Sequence, residues 1–274
     1  MKPCAYCKEE KELTREHVYP NALIQLFPEA THAYMGEEKV IPLSPSKHVI
    51  KDVCQTCNNV HLKRLDDVGT QFIKDYFLKE NWSHDPYEVS YDYNNLAKWI
   101  LKIIYNTTRS YREIEHPWFD LNSKFLIGET SSTTSDFSLL LGFHLKMKPM
   151  KDIFPEKPFE TIKNPIFVDD EKIRPPYKTY DVKHVQAIYV TRLGTAVFLV
   201  LLWDENVSEE QKSTVLQEIE SIFPYTSLSP SKNESEIYRV SDFVNDSNLF
   251  LINSKNQQKY NDLFQLRMLT TGRM

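Results

Sequence analysis

With 274 residues, 41% of them hydrophobic and 26% charged, the chain has the balance of an ordinary soluble globular protein, with enough length for one large domain or two modest ones. A net charge of −5 and a pI near 5.9 exclude a uniformly basic, nonspecific nucleic-acid binder, although a local basic face or a bound divalent cation can offset the global sign. Glycine is scarce, at 6 residues, and no Gly-rich phosphate loop is present.

The opening MKPCAYCKEE lacks the apolar stretch of a signal peptide, and the longest apolar run, 196–203, is too short to span a bilayer. A cytoplasmic location is therefore expected. Residues 1–80 hold all four cysteines. Leu62, Leu65, Val68, Phe72, Ile73, Tyr76 and Phe77 recur at helical spacing and predict a helix over 57–80. Asn81, Ser83, Asp85 and Pro86 mark a loop. A second helix is expected over 94–112, with Leu96, Ile100, Ile103, Ile104 and Thr107 on its apolar side. Lys98, Lys102, Arg109 and Arg112 form a short basic stripe away from that side. The stripe reads most simply as a solvated face and, failing that, as a place for phosphate contacts. A break is expected over 113–123, around His116-Pro117.

Beyond it, 137–146 reads as a strand, and 149–176 is Pro-rich. Two strands, 185–190 and 196–203, form a hairpin turning at Leu193-Gly194. Ser208 with Gln211 makes a capping box that opens a helix to about Ile222. Strand content follows over 238–252, and a terminal helix over 256–270. The expected architecture is α+β: an N-terminal zinc-bound ββα module (1–80), a helical connector (81–124) and an α+β C-terminal domain (125–274).

Cys4-Ala5-Tyr6-Cys7 and Cys54-Gln55-Thr56-Cys57 are two CxxC knuckles. Two intervening residues let both thiolates of a knuckle turn toward one point, and two such knuckles complete a tetrahedral S4 zinc site. The second knuckle runs into a helix, the pattern of a treble-clef finger. Four thiolates saturate a structural zinc and leave no open position, so any hydrolytic metal is a second ion.

Between the knuckles stands Leu13-Thr14-Arg15-Glu16-His17-Val18-Tyr19-Pro20, and the second knuckle continues as Cys57-Asn58-Asn59-Val60-His61, with Asp66 further along. The set CxxC, EHxxP, CxxCNN and a later acidic residue resembles the HNH endonuclease superfamily over about residues 4–67. The resemblance implies that His17 is the general base that activates water, and that Glu16 and Asn58 hold a catalytic Mg²⁺ or Mn²⁺. His61 is an alternative ligand, and Arg15 a phosphate contact. Taken without the motif, Asn58 reads as a helix cap, and Asp66 as a structural salt bridge or hydrogen bond to the hairpin. Relatives commonly carry Asp where this chain has Glu16. They also carry an Asn in the hairpin arm that braces the base; residues 44–52 have none, which leaves His48 or a backbone carbonyl for that role.

The resemblance implies a metal-dependent endonuclease acting on DNA, with RNA as a further substrate class, in a restriction or phage-defence setting. The C-terminal domain is then expected to sense a signal, form homo-oligomers or bind a protein partner. The alternative is a zinc-stabilised module that binds nucleic acid or protein and carries a vestigial HNH site, toward which Glu16, the missing Asn and the acidic pI lean.

Overall fold

Close packing of cysteines shapes the first turns of the chain. The structure is a computed structural model that describes residues 2–27, 32–35, 40–43, 48–78, 85–111, 117–130, 136–144, 167–169, 182–222 and 224–241. Strands β1 (Lys2–Pro3) and β2 (Glu10–Lys11) pair antiparallel, with the first knuckle in the turn between them. Lys8, at φ 63°, makes the left-handed step that closes this turn.

Strand β3 (Leu13–His17) leads through α1 (Asn21–Leu26) and the antiparallel pair β4 (His32–Met35) and β5 (Val40–Leu43) to β6 (Val49–Cys54). β6 returns antiparallel to β3, and the register shifts between Thr14 and Glu16, where Lys51 and Asp52 of β6 oppose the single residue Arg15. The chain then enters a π-helical turn, Cys57–Leu62, that continues as α2 (Lys63–Tyr76). The segment expected to be helical over 57–80 is thus helical through Tyr76, with Leu65, Phe72 and Ile73 on its buried side.

After β7 (Tyr87–Ser90), α3 (Tyr93–Tyr111) runs through the middle of the molecule, with most of its side chains buried. Its contact with α2 is close because Gly69 faces Trp99; a Cβ at Gly69 would lie 1.9 Å from the indole. The break expected over 113–123 is corrected by α4 (Pro117–Leu126). Proline suits the first turn of a helix, where its missing N–H is not needed, and burial of Trp118 and Phe119 anchors the turn it opens. The expected connector boundary at 124 falls inside this helix.

The remaining elements are β8 (Phe137–His144), β9 (Phe167–Asp169), β10 (Val185–Leu193), β11 (Ala196–Trp203), α5 (Glu209–Ile222), β12 (Thr226–Ser227), β13 (Glu234–Ile237) and β14 (Arg239–Ser241). The main sheet has the order β12-β8-β11-β10-β9, and β14 pairs parallel to β8. β11 is buried along its whole length because both faces are covered. Ala196, Phe198, Val200 and Leu202 pack with α2, α3, α4 and the cysteine knuckles; Val197, Leu199, Leu201 and Trp203 pack beneath α5. The hairpin turns where expected, at Gly194 with φ +66°. The expected capping box is present: Ser208 N–H donates to Gln211 Oε1 and Gln211 N–H to Ser208 Oγ. Residues 145–166, 170–181 and 242–274, including the terminal helix expected over 256–270, lie outside the described residues.

Two junctions join the N-terminal and C-terminal parts. Thr195 donates from both N–H and Oγ1 to the Phe77 carbonyl, capping the end of α2. β13 pairs with β7, so a late strand returns to an early one. One hydrophobic cluster contains both Cys4 and Ile237.

Candidate functional site

The four cysteine sulfurs lie within 4.8 Å of one another, and all four residues are buried. Tetrahedral zinc with Zn–S bonds of about 2.3 Å requires sulfurs about 3.8 Å apart; Cys7 Sγ and Cys54 Sγ are 3.9 Å apart. The Cys54 N–H points at Cys4 Sγ at 3.3 Å, binding one knuckle to the other. Burial opposes ionisation of Cys4, but N–H groups of Cys54, Cys7 and Tyr6 outweigh it and hold its thiol below the ordinary value. Burial pushes the Cys7 and Cys57 thiols up, and the neighbouring sulfurs add to the effect. Four thiolates this close repel one another until a divalent ion sits among them. The donor set therefore fits a structural zinc, and it is the one such cluster of His, Cys, Asp and Glu among the described residues.

Beside this cluster, the helix start faces the hairpin strand. Asn58 Nδ2 donates to Thr14 Oγ1 and to the Arg15 carbonyl, each at 3.0 Å, and so fixes the bulge. Asn58 is therefore a cross-brace rather than a cap of its own helix. His17, half-buried, ends β3 opposite Val49, and the next residue, Val18, donates its N–H to the His48 carbonyl. Arg15 is exposed beside it, and His61 is half-buried in the π turn. Glu16, His17 and His61 do not form a metal-binding group of the kind the cysteines make.

Glu16 points inward. Its side chain is 7% exposed, and Oε1 lies 2.6 Å from Lys102 Nζ and 3.3 Å from Asn106 Nδ2. Lys102 also donates to both oxygens of Asp66, at 2.9 and 3.0 Å. The salt bridge expected for Asp66 is thus present, and it reaches the hairpin through Lys102. Burial pushes the Asp66 carboxyl up to about 6; Lys102 pulls the other way and Glu16 adds to the rise. Burial also works against the Lys102 charge, but Asp66 and Glu16 together outweigh it and raise the ammonium above its ordinary value.

The basic stripe expected on α3 is corrected here. Lys102 is fully buried, and Arg109 lies in a slot, pairing with Asp52 at 2.8 Å and stacking 3.9 Å from the Tyr105 ring. Lys98 is half-buried with its ammonium 4.8 Å over Phe125, and burial lowers its pKa. Arg112 lies outside the described residues. The physical reason is that α3 is buried along most of its length, so the cations on its covered faces meet carboxylates and rings instead of water.

Asn106, which the motif does not include, is the junction of this network. Its Oδ1 accepts from Tyr6 Oη at 2.7 Å and from Arg109 Nη2 at 2.8 Å. Its Nδ2 donates to Glu16 and, at 3.1 Å, to the His17 carbonyl. Burial holds the Tyr6 phenol well above its ordinary pKa, so it remains a donor.

No helix among the described residues is long and apolar enough to cross a membrane. No protein-family model matches this chain, and no curated protein or solved structure matches it.

Proposed function

We propose that the protein is a metal-dependent endonuclease of the HNH type that hydrolyses phosphodiester bonds in DNA, with His17 as general base. The observation that carries this reading is the bracing of residues 15–17: the Arg15 carbonyl is held by Asn58 and the His17 carbonyl by Asn106, while the imidazole stays partly exposed at the strand end. A base must keep a fixed direction and still reach water and phosphate. Both amide hydrogens of Asn58 are committed to the hairpin, which leaves its Oδ1 as the atom to coordinate an ion. A Mg²⁺ or Mn²⁺ held there would polarise the phosphate. Arg15 is the exposed cation next to the site for phosphate contact.

The test is nicking of supercoiled plasmid with Mg²⁺ or Mn²⁺, run beside single-stranded RNA. Wild-type protein nicks the plasmid, and His17→Ala loses at least about 100-fold in rate. Equal rates in the two proteins remove His17 from the mechanism, and a preference for RNA reassigns the substrate.

A second reading has one specific observation behind it. The Glu16 carboxylate, expected to face a catalytic ion, is paired with buried Lys102. A zinc-stabilised binding module with a vestigial site would look like this. It predicts that calorimetric titration with Mn²⁺ finds no ion beyond the zinc.

A further inference from the structure

We propose that Asn106 is a positioning residue for His17, supplied by helix α3 where the hairpin arm has no asparagine of its own. For its consequence in cleavage this rests on the nuclease reading; its geometric half does not.

A primary amide has two donors and two acceptor positions. In Asn106 all four are filled, by Tyr6, Arg109, Glu16 and the His17 carbonyl. The arrangement has one orientation. Turning the amide over would aim its NH₂ at a guanidinium and a phenol that donate, and its oxygen at a carboxylate and a carbonyl that accept. The side chain is fully buried, so water cannot replace any of the four partners. Asn106 therefore sets where the His17 carbonyl stands, and the backbone at His17 sets where its ring points. The same amide touches Glu16, and Lys102 holds that carboxylate from the other side. Three consecutive residues of β3, beginning opposite the bulge in β6, are thus fixed by α3 and the π turn: Arg15 by its carbonyl, Glu16 by its side chain, His17 by its carbonyl. A strand end two residues past a bulge would otherwise be free to bend.

The experiment compares the full chain carrying Asn106→Ala, Asn106→Asp or Thr195→Val. The last removes a distant hydroxyl that caps α2, and serves as a destabilised control away from His17. Asn106→Asp keeps an acceptor for Tyr6 and Arg109 and loses the donors to Glu16 and His17, so it carries the test if Asn106→Ala does not fold. The first readout is the His17 ring signal in carbon–proton NMR, assigned by its loss in His17→Ala. We expect that signal to shift and broaden in the Asn106 variants and to keep its wild-type position in Thr195→Val, with zinc retained in all three. In cleavage, Asn106 variants lose about 100-fold in kcat with KM for DNA little changed, as expected for a misaimed base. An unmoved His17 signal in a folded Asn106 variant overturns the proposal, as does an equal shift in Thr195→Val. Failure of the nuclease reading is separate: it shows as cleavage that survives His17→Ala, while the ring signal still decides the role of Asn106.

Discussion

Glu16 and Asp66 share one ammonium, that of buried Lys102. The Asp66 carboxyl is raised from 3.8 to about 6, chiefly by burial. Its carboxyl holds a proton more tightly in the folded state than in the unfolded one. Between about pH 4 and 6 the folded protein therefore binds more protons, so the contribution of Asp66 to stability is present below that window and is lost as pH rises through about 6. Asp66→Asn keeps an acceptor for Lys102 and cannot ionise. Denaturant unfolding of the two proteins should show the wild type losing up to about 3 kcal/mol relative to Asp66→Asn as pH goes from 4 to 7. Zinc release at low pH affects both proteins and cancels in the difference. A difference that grows in favour of the wild type with rising pH would mean that Lys102 dominates and the carboxyl is depressed. At this scale the sequence was partly legible. The ion pair of Asp66 could be anticipated because a carboxylate inside an amphipathic helix needs a partner. Lys102 and Arg109 read from the sequence as solvated because charged residues usually are. The signal available was their spacing with Asn106: three polar residues at i, i+4 and i+7 on a helix whose other faces are apolar form a stripe that has to be satisfied from within.

Knuckle, hairpin and helix start meet at the four sulfurs, and besides them share the Asn58 bonds to Thr14 and Arg15 and the Ala5 N–H to the Asp52 carbonyl, so a metal held by the cysteines would carry much of the attachment of β3 and β6 to α2. Metal analysis of the purified chain should give one zinc per molecule. Cys57→Ser should lose it, lowering stability by several kcal/mol, since metal binding is part of the folding free energy of such a module. Hydrogen exchange should place the loss: amides of β3, β6 and the π turn become labile, while those of β8, β10 and β11 stay protected by the sheet. Full zinc in Cys57→Ser, or uniform loss of protection, would refute this division. The elements whose signals are local are legible in the sequence. Ser208 with Gln211, Gly194 in its turn and the CxxC pairs each specify their geometry within a few residues. α4 is not, because Pro117 after His116 reads as a stop although it can equally open a helix. The pairings β13 with β7 and β14 with β8 were also hidden, since nothing in a short edge strand names a partner more than ninety residues away.

At the scale of the whole molecule, the cysteine-rich segment is a part of the core rather than a module resting on it. Leu65, Phe72 and Ile73 from α2 and Phe77 just after it belong to the cluster that also holds Phe198 and Leu202 of the sheet, and Phe72 lies 6.4 Å from the Phe198 ring. Cutting the chain after residue 80 would expose these side chains, at roughly 1.5–3 kcal/mol each. It would also remove Lys102, Asn106 and Arg109, leaving Glu16, Asp52 and Asp66 without the cations that face them. Those losses are comparable with the roughly 5–15 kcal/mol by which a domain is ordinarily stable. The sulfur cluster itself needs nothing beyond residue 57. A fragment of residues 1–80 should therefore bind one Co²⁺ or Zn²⁺ through four thiolates, visible in the charge-transfer spectrum of the cobalt form. Yet it should lack the dispersed amide spectrum of β3 and β6 that the full chain shows. If the fragment instead reproduces the full-chain chemical shifts around Glu16 and His17, the support from α3 is dispensable, and the strand end that carries the imidazole is held by the zinc clamp and Asn58 alone.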